Sequence, residues 1–418
     1  MMKKLMTAVL TIAMLIITAG CSDKDQTGAE PTVPVTSQTV SDSIPVSDHQ
    51  PAADDLMPIF DPDGNLLGQI DSRGNCTAVN SGIFYSITEL KEYQFTADAE
   101  YRFFDKESRK DILLGKLENQ GYEAMFARTE YNGILYTLAV EGDPVTDTSS
   151  PLVLLAADPA SGTMKKHTVS EHGFPYASMA VSNGKLLIMN HEMSEPKCDK
   201  IYEFDPAAET MKDVLIFDSD TDSLRAVCAA EDGFYLLRLK IGNGSENEMF
   251  LDRYDDRYRK LSEQSVNEML IKAILEVSGI MGRQDALNEL GSYVSRFEVE
   301  DGRYLIYENF GLTRLIIDLQ SGEALLVRDD LYSVSFGNGR AYVYRMDFDP
   351  DNVEEPDITG IVGGRLEKLS FQPTDSHKCI RSVSHAADGT WLILTSDGFS
   401  VQNSTGALYL WTDPDTGS

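Results

Sequence analysis

Apolar residues along this chain come in short runs broken, again and again, by the same two kinds of turn. The segments CTAVNSGIFYSI, FARTEYNGILYTL, AVSNGKLLIM, CAAEDGFYLL, FEVEDGRYLIY, SFGNGRAYVY and HAADGTWLIL set Val, Ile, Leu, Tyr and Phe around a glycine, at positions 82, 133, 184, 233, 302, 339 and 389. Six of the seven have Asn-Gly or Asp-Gly at the centre, the pair suited to a two-residue type I′ turn because both residues tolerate positive φ. Each segment therefore predicts a β-hairpin.

A second cadence follows: EYRFFDKESRK, LVLLAADPASG, KIYEFDPAAET, FLDRYDDRYRK, RLIIDLQSGEA and ALYLWTDPDTG. In each, an apolar strand runs into a turn led by Asp105, Asp158, Asp205, Asp255, Asp318 or Asp413, and another strand usually follows. The sixth unit lacks this turn. Two hairpins per repeat give four antiparallel strands. Seven such units, spaced 51, 51, 49, 69, 37 and 50 residues apart, predict an all-β fold: a seven-bladed β-propeller of four-stranded antiparallel blades.

Closure of that ring makes a demand on the two ends of the repeat array. The chain stops at DPDTGS directly after the third strand of the last unit, while LMPIFDPDGNLLGQI, Leu56 to Ile70, reads as a third strand, a turn and a fourth strand with no beginning. Asn65 to Ile70 is expected to complete the last blade, which leaves Leu56 to Phe60 without a place; an incomplete eighth blade is the alternative. The spacing of 69 holds a helical pattern in Val266, Met269, Leu270, Ile274, Leu275 and Val277, broken at Gly279 and Gly282. It predicts a small helical insertion over about 262–291 between blades four and five. A helix of about four turns is followed by a shorter one from Arg283 to Leu290, expected to cover a propeller face, with partner docking as the alternative.

The chain opens with Lys3 and Lys4 ahead of an uncharged run from Leu5 to Thr18, too short to span a bilayer comfortably and built like an export signal. Thr18-Ala19-Gly20-Cys21 then resembles the lipobox of bacterial lipoproteins, departing from it at Thr18, where Leu is usual. An ordinary secretory peptide and an uncleaved anchor are the alternatives. The resemblance implies a signal peptide over 1–20, diacylation of Cys21, and anchoring of the mature chain on the outer face of the bacterial cytoplasmic membrane, the outer membrane being the other leaflet to consider. Two acyl chains suffice for stable attachment. Residues 21–55, rich in Ser, Thr, Pro and Asp and free of aromatics, read as a disordered tether, and 56–418 as the propeller. The body resembles, in architecture only, bacterial propellers built from Asn-Gly hairpins and DPxxG-like turns.

Acids outnumber Lys and Arg 67 to 36, a formal charge of −31, and loss of residues 1–20 would remove two lysines and no acid. Such a body is ill suited to nucleic acid, whose phosphates call for clustered cations. Cys76, Cys198, Cys228 and Cys379 form no CxxC pair; small buried thiols are preferred over two disulfides. HEMSE, from His191 to Glu195, starts like a zinc-protease motif but lacks the second histidine and lies between strands, so a polar loop is expected. Asp218, Asp220 and Asp222 in DSDTDS imitate the opening of a calcium loop, yet Ser223 stands where Gly is needed and Ala229 where a bidentate Glu is needed. A looser calcium site there is the alternative to a solvated connection.

The acidic stretch Met346 to Asp357 is read the same way, as a solvated loop with calcium or a cationic partner as the alternative. Trp391 and Trp411 are expected in blade packing. Phe174 and Tyr176 in HGFPYAS are expected at a turn, with a sugar-stacking platform as the alternative. GxSxG, Walker and GxGxxG motifs are absent, and no catalytic or cofactor-binding residue is assigned. The expected function is a membrane-anchored binding or scaffold propeller that recruits a protein partner. A capture protein for a glycan or small molecule comes second, and a carbohydrate-active enzyme third.

Overall fold

In a computed structural model, residues 42–43 and, from 56 to 412, the strands, two helices and most tight turns are described; residues 1–41, 44–55 and 413–418 and several connections, among them 89–95, 143–149, 346–357 and 397–405, lie outside the described residues. Cys21, Asp413 and the acidic stretch 346–357 therefore lie outside them. Almost every other ordered segment is an antiparallel strand. Four-stranded sheets run in chain order from the strands Ser178–Ser182, Asp222–Ala230, Val294–Glu300 and Tyr332–Gly337. The first part of the chain forms one eight-stranded sheet, because Lys110–Tyr131 is a single strand of 22 residues that pairs with Ala97–Asp105 along its first half and with Ile134–Glu141 along its second.

Neighbouring sheets lie against each other, for the most part through their first strands. Lys110–Tyr131 touches Ser178–Ser182, which touches Asp222–Ala230, which touches Val294–Glu300; Arg314–Asp318 touches Tyr332–Gly337, which touches Cys379–His385, and that strand touches Asn75–Val79 near the start. The series returns on itself, so the sheets stand around an axis as the blades of a β-propeller. Hydrophobic clusters fill the gaps between blades: Leu138, Leu154, Ile188 and Phe204 between one pair, and Met189, Ile201, Leu224 and Leu236 between the next.

Ring closure differs from the sequence expectation. The last sheet runs Cys379–His385, Thr390–Ser396, Gly406–Thr412, then Leu56–Phe60, then Leu66–Asp71. The segment left without a place, Leu56–Phe60, is the fourth strand, paired parallel to Gly406–Thr412 through Ile59 with Leu408 and Phe60 with Tyr409, and the segment expected to be fourth is an added fifth. Burial decides the order. Met57 and Ile59 are buried with Ile70, Leu408 and Leu410 against Ile83, Tyr85 and Phe104 of the first blade, whereas Leu66 on the outer strand is exposed. A more apolar strand is worth more inside the sheet than at its edge. Asp42–Ser43, within the stretch expected to be a disordered tether, adds two residues to the outer edge of Thr163–Ser170.

The turns follow the sequence closely in one class and loosely in the other. Asp105, Asp158, Asp205, Asp255 and Asp318 each accept the backbone N–H two residues on, at 2.8–3.0 Å, so one side chain caps the four-residue turn it leads. Asn132-Gly133 and Asn183-Gly184 adopt positive φ at both residues, as a type I′ turn requires. At Gly233 the register is one residue off: Ala230 pairs with Gly233, the loop is Glu231-Asp232, and glycine opens the next strand. Its φ is +150°, and a Cβ there would lie 2.0 Å from the Tyr254 carbonyl oxygen. Glycine is needed there for close backbone approach.

Two helices, α1 (Asn267–Ser278) and α2 (Arg283–Leu290), follow the outer strand Lys260–Ser265, so the strand takes up residues expected in the helical insertion. Leu270, Ile271, Ile274, Ala286 and Leu290 are buried with Leu251, Leu305 and Ile317, while Glu268, Lys272 and Glu276 face water. The apolar stripe is thus used up between two sheets.

Gly233→Ala is expected to lower the urea midpoint markedly more than Gly133→Ala. At Gly133 no heavy atom lies within 4 Å of an added Cβ, so only the left-handed backbone cost of about 1–2 kcal/mol remains. Equal losses in the two variants would show that the Tyr254 carbonyl moves aside without cost.

Candidate functional site

Strand order sorts the connections between two faces. With strands one to four antiparallel in sequence order, the first and third turns of each blade share one face, and the second turn and the crossover to the next blade share the other. Among the described strands the first face carries turns of two to four residues, whereas connections between second and third strands run from four to twelve and the crossovers include both helices. Short capped turns have little freedom to form a site; the longer connections do.

The best-described cluster on the long-connection face lies where the outer strand Thr163–Ser170 meets the sheet that opens at Ser178. His172 to Ala177 link the two strands. Gly173 donates its N–H to the Ser150 carbonyl at 2.6 Å, Phe174 donates to Asn190 Oδ1 at 3.1 Å, and Asn190 Nδ2 returns a bond to the His172 carbonyl at 2.9 Å. This fixes Phe174 edge-on to His191, ring centroids 5.0 Å apart, and to Tyr176 at 5.3 Å. Both Phe174 and Tyr176 are half-buried. They sit in the expected turn.

His191 and Asp199 face each other across adjacent strands, and Nδ1 lies 2.8 Å from Asp199 Oδ1. Ser219 Oγ donates to the same carboxylate at 2.8 Å and the Leu224 N–H at 2.6 Å. Burial alone would raise the Asp199 carboxyl, but the bonds from His191, Ser219 and Leu224 outweigh it and hold the group below the usual range. One carboxylate therefore ties its own blade to the crossover and to the first strand of the next. An Asp and His pair of this geometry can orient an imidazole for proton transfer; here the edge-on phenyl ring and the interblade bonds make it a packing device.

Beside it, Glu192 accepts from Tyr202 and, at 2.9 Å, from Ser170 of the neighbouring blade, with Lys200 3.2 Å away and Lys200 also 3.3 Å from Asp213. Burial would raise Glu192 too, and these donors reverse the shift. In the sheet that opens at Asp222, Arg238 is buried among Asp222, Asp252 at 2.7 Å and Glu263 at 2.8 Å, one acid from each of the other strands.

That ladder bears on the calcium candidates. Asp222 pairs with Arg238, Asp218 Oδ1 caps its own turn by accepting the Asp220 N–H at 3.0 Å, and Asp220 is exposed. The structure does not gather the three carboxylates, and among the described residues no group of three His, Cys, Asp or Glu is placed to hold a metal ion. Cys76 and Cys198 are half-buried and Cys228 is buried, while Cys379 opens an inner strand. Trp391 is fully buried and pairs across strands with Trp411. Of the residues in this cluster, His191 and Glu192 belong to the HEMSE segment singled out from sequence and Asp199 does not; the signal that finds Asp199 is the strand register across a connection of five residues.

No protein-family model matches the sequence, and no curated protein matches it. Solved structures resemble it weakly. An acylaminoacyl peptidase in complex with Z-Gly-Gly-Phe-chloromethyl ketone is 10% identical, with 66% of this chain and 43% of that chain covered and a TM-score of 0.42. The β-propeller domain of the Trilobed protease from Pyrococcus furiosus is 9% identical over 66% of this chain and 77% of that one, TM-score 0.39. A putative 6-phosphogluconolactonase from Bacteroides uniformis is 14% identical over 80% and 98%, TM-score 0.45. The chain spans less than half the length of the acylaminoacyl peptidase it resembles. The propeller assignment rests on this chain's own strand order and blade contacts.

Asp199→Asn is expected to cost about 1–3 kcal/mol at pH 7, the range for a buried charged hydrogen bond. Because the folded carboxyl is held low, its contribution is complete above the unfolded value of about 3.9 and is lost as pH falls through the folded value. Urea unfolding of the two proteins should therefore differ at pH 7 and converge only as pH falls below the ordinary carboxylate range through the lowered folded value. A gap that persists at the acid end would mean that packing, not charge, carries the loss.

Proposed function

We propose that the chain is a lipid-anchored, extracytoplasmic β-propeller of seven blades, with a helical insertion between blades four and five, that recruits a protein partner through its long-connection face. The observation that carries the reading is the distribution of connections: turns of two to four residues on one face, and on the other the second-to-third-strand connections of four to twelve residues together with crossovers that range from three residues to the helical segment. Seven blades draw support from the division of the eight-stranded sheet at the middle of Lys110–Tyr131 into two four-stranded halves.

The closing strand adds a direction to this. Leu56–Phe60 runs parallel to a third strand, so the chain comes into the fold on the long-connection face. Asp42–Ser43 pairs with the edge of Thr163–Ser170, which leaves a tether of about 20 residues after Cys21 with a typical span of roughly 25 Å. The helices enter as packing elements, since only their charged side is left for a partner. A second reading, capture of a glycan or small molecule, is favoured by the half-buried pair Phe174 and Tyr176 on that face.

Two measurements test the proposal. Cys21→Ser should abolish acyl labelling and move the protein from the membrane to the soluble fraction; retention in the membrane would remove the lipid anchor. A partner retained by the full chain should be lost when Glu171 and Asp220 on the long-connection face are changed to Lys, and kept when Asp63 and Glu107 on the capped-turn face are changed likewise. All four side chains are exposed. Loss in the second pair alone would place recognition on the opposite face.

A further inference from the structure

We propose that the seam between the outer strand Thr163–Ser170 and the blade that follows it is an acid-sensitive latch on the connection His172–Ala177, triggered by the buried imidazole of His167. The inference rests on the reading of the long-connection face as the recognition face and adds a regulation to it.

Three residues of the outer strand reach across this seam. At its capped-turn end Lys165 Nζ lies 2.5 Å from Glu209 Oε1, on the turn after Cys198–Asp205. At its long-connection end Ser170 Oγ donates to Glu192 Oε1 at 2.9 Å and accepts the His172 N–H at 3.1 Å. That second tie holds the start of the connection that carries Phe174 and Tyr176. Between the two ties stands His167, 1% exposed, its ring centroid 4.9 Å from that of Phe204 in the next blade. Its Nδ1 is buried and has no hydrogen-bond partner among the described residues. Buried polar atoms are satisfied in most folds, so an orphaned ring nitrogen at a joint between blades calls for a reason.

The surroundings favour the neutral ring. Leu154 faces His167 from the adjoining strand, and Tyr136, edge-on to Phe204, has a phenol that burial pushes up to about 12, so it stays uncharged. The charged groups nearby are Lys165 on its own strand and Glu209 across the seam, and these pair with each other. Further along, Glu192 is taken up by Ser170, Tyr202 and Lys200. Burial holds the imidazole below its ordinary value; the pull of Glu209 does not offset it, and Lys165 adds to it. Protonation makes both ring nitrogens donors, and Nδ1 has no acceptor to meet. An opened seam therefore takes up a proton more readily than a closed one. Closure is at full strength well above about 6.5, weakens as pH falls through that value, and stops weakening below the folded value. Loss of the seam frees Ser170, and with it the connection on the recognition face.

The test is hydrogen exchange of the full chain near pH 7.5 and near pH 5, corrected for the intrinsic pH dependence of exchange. Amides of Thr163–Ser170 and His172–Ala177 should lose protection by about threefold or more at the lower pH, while those of Gly233–Lys240 do not. His167→Phe keeps a ring against Phe204 and cannot titrate, so it should abolish the difference. If the larger ring disturbs folding, His167→Gln gives the same reading. Equal acid loss in these variants, or none in the unchanged chain, overturns the inference; so does a His167 imidazole that titrates at or above its ordinary value by NMR. Exchange is read without a partner, so failure of the latch and failure of the recognition reading are separate results.

Discussion

Among the described residues, blades bury apolar side chains against the neighbours on both sides, so a blade left at an end would expose one of its faces. That constraint governs the rest. The last sheet has only three strands of its own before the chain runs out of described residues, and the hydrophobic surface of Ile83, Tyr85 and Phe104 on the first blade must still be covered. Leu56–Phe60 and Leu66–Asp71 meet both needs together, with Met57 and Ile59 facing the first blade and Ile59 pairing beside Leu408. Lys106 Nζ adds a bond to Thr390 Oγ1 across the same seam at 3.2 Å. Remove that seam and a blade face on either side meets water.

Much of the architecture could be read from sequence because it is set by local chemistry. An Asp that caps its own turn needs only residues one to four positions away, and so Asp105, Asp158, Asp205, Asp255 and Asp318 all behave as the pattern predicts. Asn183-Gly184 is equally local. The failures are all nonlocal. Gly233 opens a strand because of a carbonyl on Tyr254, 21 positions on, and Leu56–Phe60 outranks Leu66–Asp71 for the inner place because of a cluster assembled from both ends of the chain. In the same way His191 was visible as a histidine, but its partner Asp199 is fixed by register across strands, and the tie from Asp199 to Leu224 crosses a blade boundary.

The charge distribution has a related logic. Cations are scarce in this chain, and several are drawn inward: Arg238 among three acids, Lys200 between Glu192 and Asp213, Arg128 across the first blade boundary. Arg238 and Lys200 satisfy Asp252 and Glu192, carboxylates whose burial would otherwise be costly, while Arg128 joins two blades through the Asn75 carbonyl and Ser86 Oγ.

The parallel pairing of Ile59 with Leu408 also sets an order of assembly. These residues are 349 positions apart (408 − 59), and contacts of that range form late because the intervening loop must close first. Leu56–Phe60 therefore precedes its third-strand partner in the chain by almost the whole ring. Until the final sheet is made, the apolar segment LMPIF has only its hairpin partner Leu66–Asp71 on one side, and Pro58 in its middle blunts pairing with a wrong edge on the other.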